Sequence, residues 1–199
     1  MHPYSINVND RIKIIYLAVP ISLFFGWLIN NYVLNQLEWY QTYSWIADVP
    51  SSGLAIFGLT YKLFDTYLWR WFAAKDFMLD TPDLSGTYEG ELYSSRDNKT
   101  NATKITLTIE QTLTKIKINL FTSLSSSRSE MASIHVDEAG SPLLVYEFIN
   151  DHQTVANKEL TIHRGLTRLS LCRAENQLSG TYYTSHHRGN FGEIRVKKL

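Results

Sequence analysis

The residues best suited to hold a ligand gather in two short segments. His163-Arg164-Gly165 sets an imidazole beside a guanidinium. Tyr182-Tyr183-Thr184-Ser185-His186-His187-Arg188-Gly189 joins aromatic faces, hydroxyls, imidazoles and a second guanidinium. Arginine meets a phosphate through paired hydrogen bonds. Tyrosine rings stack on bases for roughly 1–3 kcal/mol each in single-strand binders. A pocket for a compact dinucleotide needs these parts. The same residues also serve, with no ligand at all, as solvated strand ends and aromatic barrel plugs.

No catalytic arrangement is legible. The chain has no Gly-rich phosphate loop, no His-Glu-x-x-His and no nucleophile with a spaced base. His186-His187 makes a poor metal site, because neighbours on a strand point to opposite faces and no third ligand follows at a useful spacing. The expectation is a protein that is not an enzyme and uses neither metal nor cofactor. The one cysteine, Cys172, cannot form an internal disulfide, which suits a reducing compartment. Lys and Arg number 19, as do Asp and Glu, so the formal charge is zero. This balance argues against a partner of long nucleic acid, where a basic excess supplies the affinity. It leaves room for a small anion held by a few local donors.

Short strands must position these segments. From Leu84 onward, apolar and polar residues alternate in brief runs separated by turn clusters such as Asp137-Glu138-Ala139-Gly140-Ser141-Pro142. Ile105, Leu107, Ile109 and Gln111 share one face, with Lys104, Thr106, Thr108 and Glu110 on the other. Ile116, Ile118 and Leu120 likewise oppose Lys115, Lys117 and Asn119. The region reads as a small all-β, mostly antiparallel domain of about eight strands, most simply a barrel. Gly165 either separates two strands or bulges a longer one, which leaves the count at eight or nine. The charged outer face rules out an outer-membrane barrel. Leu84-Ser85-Gly86-Thr87-Tyr88 returns as Leu178-Ser179-Gly180-Thr181-Tyr182, as if two such strands met where the barrel closes.

The first part of the chain is written for a different solvent. Ile12 to Leu34 is almost wholly apolar and long enough to cross a hydrocarbon core. A second span runs from about Val49 or Gly53 to Phe72 and contains Lys62 and Asp65. These two stand one helical turn apart and either neutralise each other or face neighbouring copies in an oligomer. Arg11 and Lys13 precede the first span, Arg70 and Lys75 end the second, and the connection between them has no Lys or Arg. The positive-inside rule then puts both termini in the cytoplasm. Trp39, Tyr40, Tyr43 and Trp45 fit the outer interface; Trp69 and Trp71 fit the inner one. The expected domains are a two-helix transmembrane hairpin over residues 1–76 and a cytoplasmic β-barrel ligand-sensing domain over 77–199.

Two N-terminal spans lead into Leu84-Ser85-Gly86-Thr87-Tyr88-x-Gly90, then His163-x-Gly165, Leu178-x-Gly180-x-Tyr182-Tyr183-Thr184 and Gly192-x-Ile194. This layout resembles the two-transmembrane β-barrel effectors of bacterial CBASS, the cyclic-oligonucleotide-based antiphage signalling systems, over nearly the whole chain. The resemblance implies an eight-stranded cup that binds a cyclic dinucleotide second messenger made by a cognate synthase during phage infection. It also implies a multi-pass inner-membrane protein that oligomerises on activation and disrupts the membrane, killing the infected cell. Tyr88, Gly90, His163, Gly165, Tyr182 and Thr184 fall on matching motif positions. Arg164, His186 and Arg188 join the candidate ligand contacts on the phosphate argument alone. Two other readings compete: a membrane-anchored module for a lipid or other small apolar ligand, and a structural subunit of a membrane complex.

Overall fold

The computed structural model describes residues 1–36, 50–74, 78–97, 100–123, 125–151, 163–185 and 189–199. The chain divides into two units, Asn9–Leu79 and a second made of Met1–Val8 with Asp80–Leu199. Met1–Val8 thus lie with the strands and outside the helical unit.

The first unit is helical. Helix α1 (Asp10–Tyr32) packs on α2 (Pro50–Leu63), which runs through a π turn at Phe64–Leu68 into α3 (Trp69–Ala74). Along α1, Ile14, Ala18, Ser22 and Gly26 are buried. This seam of mostly small residues lets backbones approach, and a methyl added at Gly26 would lie 3.7 Å from the Gly53 Cα. The Ser22 hydroxyl is satisfied within the helix, donating to the Ala18 carbonyl at 2.6 Å. Tyr16, Leu23, Phe24, Phe25 and Trp27 are exposed. A helix on a water-soluble core buries its large apolar side chains; a membrane helix turns its small ones to its neighbour.

Among the described residues, α1 alone is long and apolar enough to cross a membrane. The second expected span is helical from Pro50 to Ala74, but Lys62, Asp65 and Arg70 interrupt its apolar character. Its π turn holds one residue more than an α turn, so Phe64 and Trp69, five apart, are both buried. Trp69, expected at an interface, is therefore fully buried, whereas Trp71 is exposed. Trp39, Tyr40, Tyr43 and Trp45 lie outside the described residues.

The second unit is a closed barrel. Its strands are β3 (Gly86–Ser94), β4 (Ala102–Gln111), β5 (Lys115–Thr122), β6 (Ser126–Val136), β7 (Pro142–Asp151), β8 (His163–Cys172), β9 (Gln177–Thr184) and β10 (Phe191–Lys198). Each pairs antiparallel with the next, and β10 closes onto β3. The closed ring thus has eight strands, because β8 runs unbroken through Gly165 with partners on both sides. The two Leu-Ser-Gly-Thr-Tyr strands do not meet. They flank β10, one on each side, and closure is the pairing of β3 with β10.

Two short strands from the N-terminus, β1 (His2–Pro3) and β2 (Ser5–Ile6), complete the wall between β5 and β6. The inward rows follow the alternation: Ile105, Leu107, Ile109 and Gln111 on β4, and Ile116, Ile118 and Leu120 on β5, are all buried. On β6 a bulge between Ser129 and Met131 shifts the buried positions from Ser127 and Ser129 to Ile134. Gln111 seals one end of the barrel. Its Oε1 accepts the Leu84 N–H at 2.9 Å, and its Nε2 donates to the Pro82 carbonyl at 3.1 Å and the Tyr4 hydroxyl at 3.2 Å. The opposite end is hollow.

Candidate functional site

The hollow end holds a cavity of about 420 Å³. All eight barrel strands or the turns that join them contribute to its wall. Leu92, Leu120 and Ile194 supply apolar surface, and Tyr146, Phe148 and Tyr182 supply rings. Between them stand hydroxyls and amides, among them Thr122, Ser125, Ser127, Asn150 and Thr167. His163 and Arg96 add the ionisable groups. A volume of this size lies within the range of about 300–1,000 Å³ usual for small-ligand pockets.

Glycines keep this space open. Phe148 stands opposite Gly165 across β7 and β8, and Tyr182 stands opposite Gly192 across β9 and β10. A methyl at Gly165 would collide with the Phe148 ring, and one at Gly192 would come within 2.6 Å of Tyr182 Cε1. Each ring therefore uses room against the wall that a side chain would otherwise take. Phe148 also meets His163 edge to face, with centroids 6.4 Å apart. Tyr146 is buried, which pushes its hydroxyl up to about 12, against a smaller downward pull from its hydrogen bond with Thr167. It offers a neutral O–H at physiological pH.

Several sequence candidates come together here. His163, Tyr182 and Thr184 all line the cavity. Thr184 also builds the adjoining loop: its Oγ1 donates to the Asn190 carbonyl at 3.1 Å and accepts the Asn190 N–H at 2.9 Å. That staple holds the ends of the loop carrying His186 and Arg188, which themselves lie outside the described residues.

Two candidates are not brought to the cavity. Arg164 alternates with His163 and Gly165, so it faces outward, and its Nη2 lies 3.1 Å from Glu130 Oε2. Tyr88 is 1% exposed and sits in the core, where its hydroxyl donates to the Leu84 carbonyl at 2.9 Å. It does not line the cavity. Lys62 and Asp65 belong to the helical unit, Lys62 exposed near the end of α2 and Asp65 half-buried in the π turn.

Other cavity residues were missed. Arg96 lies in a 3-10 turn after β3, within a stretch that reads only as a turn. Asn150 ends the inward row Leu144, Tyr146, Phe148, and a polar residue closing an apolar row was a usable signal. Its Nδ2 donates to Ser125 Oγ at 3.4 Å, while its buried Oδ1 has no partner among the described residues.

Comparison with known proteins converges on the same domain. The profile of the family described as "Cap15, cyclic dinucleotide receptor domain" matches residues 79–198. Over 190 residues the chain is 26% identical to CD-NTase-associated protein 15 of Yersinia aleksiciae, a match spanning 92% of this chain and 89% of that protein.

Proposed function

The chain belongs to the family of the Cap15 cyclic dinucleotide receptor domain, and from that premise we propose that it is a CBASS effector whose barrel cavity binds a cyclic dinucleotide. The observation that carries this reading is the cavity itself: rings for bases, hydroxyls and amides for base and ribose edges, and Arg96 for a phosphate. A fatty acid gains from the rings but leaves the polar wall unpaired, which costs free energy once the wall is desolvated. The role is recognition rather than catalysis. Tyr182, His163 and Thr184 contribute to the site, with Arg188 and His186 on the adjoining loop.

Activation is a shift of population. The nucleotide favours a membrane-active assembly by binding it more tightly than the resting form. α1 and the helical run from Pro50 to Ala74 form a two-span hairpin in the bacterial inner membrane, with both termini cytoplasmic, where a messenger made in the cell reaches the barrel. The outward rings of α1 support a lipid environment. Lys62 and Asp65 assist self-association of the spans, and the assembled hairpins disrupt the bilayer.

The test is calorimetric titration of the full chain with a panel of cyclic dinucleotides, with palmitate as the competing ligand. Saturable nucleotide binding that palmitate does not displace is expected. Arg96→Ala is expected to weaken it by about tenfold, and Arg164→Ala to leave it unchanged. Binding of palmitate alone would select the apolar-ligand reading instead.

A further inference from the structure

We propose that His2–Ile6 is a detachable stave of the barrel wall, seated when the cavity is empty and released when it is filled; this rests on the functional reading above. β5 and β6 leave their hairpin paired for three rungs: Phe121 with Ser126, Leu120 with Ser127 and Asn119 with Arg128. Then they part. In the same register Ile118 would face Ser129, but its N–H donates to Ser129 Oγ at 3.0 Å instead. The gap takes in the N-terminal segment. His2 and Pro3 pair antiparallel with Ile116 and Lys115, and Ser5 and Ile6 run parallel to Ser133 and Ile134. His2 Nε2 lies 2.7 Å from Ser129 Oγ, and Tyr4 is buried in the core. Asn7 adds a false rung: its side-chain amide bonds both the N–H and the carbonyl of Val136 at 2.8 Å.

The backbone groups of β5 and β6 that face this segment are those the two strands would offer each other if their ladder ran on. Two arrangements therefore compete, a seated stave with a short ladder and a free stave with a long one. Both satisfy strand edges that cannot stay unpaired in a buried wall. The choice is discrete and is decided by small differences, as a switch element requires. The cavity reaches to within one rung of the branch point. Leu120 and Ser127 form the middle rung, Thr122 and Ser125 lie at the hairpin, and all four line the cavity. Thr122 and Ser125 are already closed on each other, Thr122 Oγ1 donating to the Ser125 carbonyl at 3.1 Å, so a ligand that also takes the Ser127 hydroxyl tightens this end of β5 and β6 and favours the long ladder. The stave leads through residues 7–9 straight into α1.

The experiment places one disulfide across the β2–β6 pairing, with Ser5→Cys and Ser133→Cys in a Cys172→Ser chain. The full-length protein in nanodiscs is titrated, oxidised and then reduced, with the same cyclic dinucleotide panel. The oxidised form is expected to bind at least about tenfold more weakly than the reduced form. Hydrogen exchange over residues 2–6 of the reduced form is expected to accelerate on nucleotide addition, with β8 unchanged. Should the paired cysteines hinder folding, Asn7→Ala removes only the false rung and is expected to tighten binding several-fold. Equal affinity in both redox states, with the disulfide verified by mass spectrometry, or an Asn7→Ala chain that binds no tighter, overturns the stave and leaves the functional reading standing. Absence of binding by the unmodified chain removes the functional reading, and the coupling with it.

Discussion

Asn150 carries a buried Oδ1 with no partner among the described residues, on the wall of the cavity. An unpaired buried acceptor costs about 1–3 kcal/mol, and a donor on a bound base removes that cost. Asn150→Leu is therefore expected to raise the unfolding free energy by about 1 kcal/mol while weakening nucleotide binding about tenfold. Denaturant melts and titrations on the same sample check the two effects; a variant that loses both stability and binding would show a purely structural role. Alkaline stability tests the buried hydroxyls. Burial lifts Tyr146 from 10.0 to about 12, and burial, then the charge of Asp83, does the same for Tyr88. The unfolded chain sheds these protons first as pH rises, so the stability they contribute is intact below pH 10.0 and is lost as pH climbs toward about 12. For the fully buried Tyr146 this is worth roughly 2–3 kcal/mol at full effect. Denaturation midpoints should stay level from neutral pH to about 10 and fall beyond it, and Tyr146→Phe should blunt the fall.

At the scale of the elements, Gln111 ties β4 to both the N-terminal stave and the segment leading into β3. Gln111→Leu leaves the Leu84 N–H, the Pro82 carbonyl and the Tyr4 hydroxyl without this partner. A loss of about 3 kcal/mol is expected, with hydrogen exchange rising first in residues 1–8 and at Leu84. Uniform loosening of the whole barrel would contradict that role. Gln111 was legible as an inward residue because β4 alternates cleanly to its end. The stave was not, since two strands of two residues each are too short to show a period. Arg164 shows how chemistry misleads where parity decides. Its guanidinium suits a phosphate, yet one step along a strand from His163 turns it to the opposite face. Arg96 lies in a turn, where no periodicity speaks for either face.

For the whole molecule, the expected division of labour can be cut at the two places where the units join. A chain with Val8 linked flexibly to Asp80 keeps the complete barrel and omits the helices. It is expected to bind nucleotide as the full chain does and to leave dye-loaded vesicles intact, while the full chain with nucleotide makes them leak. Lys62→Leu with Asp65→Leu, in the same assay, is expected to insert but not leak. Leakage from the helix-free form would end the idea that the hairpin does the damage. Ring closure carries its own consequence. Because β10 returns to β3, the described strands of the ring offer a neighbour no open edge at that seam. Crowded copies of the barrel thus find almost no raw hem along that seam to stitch together.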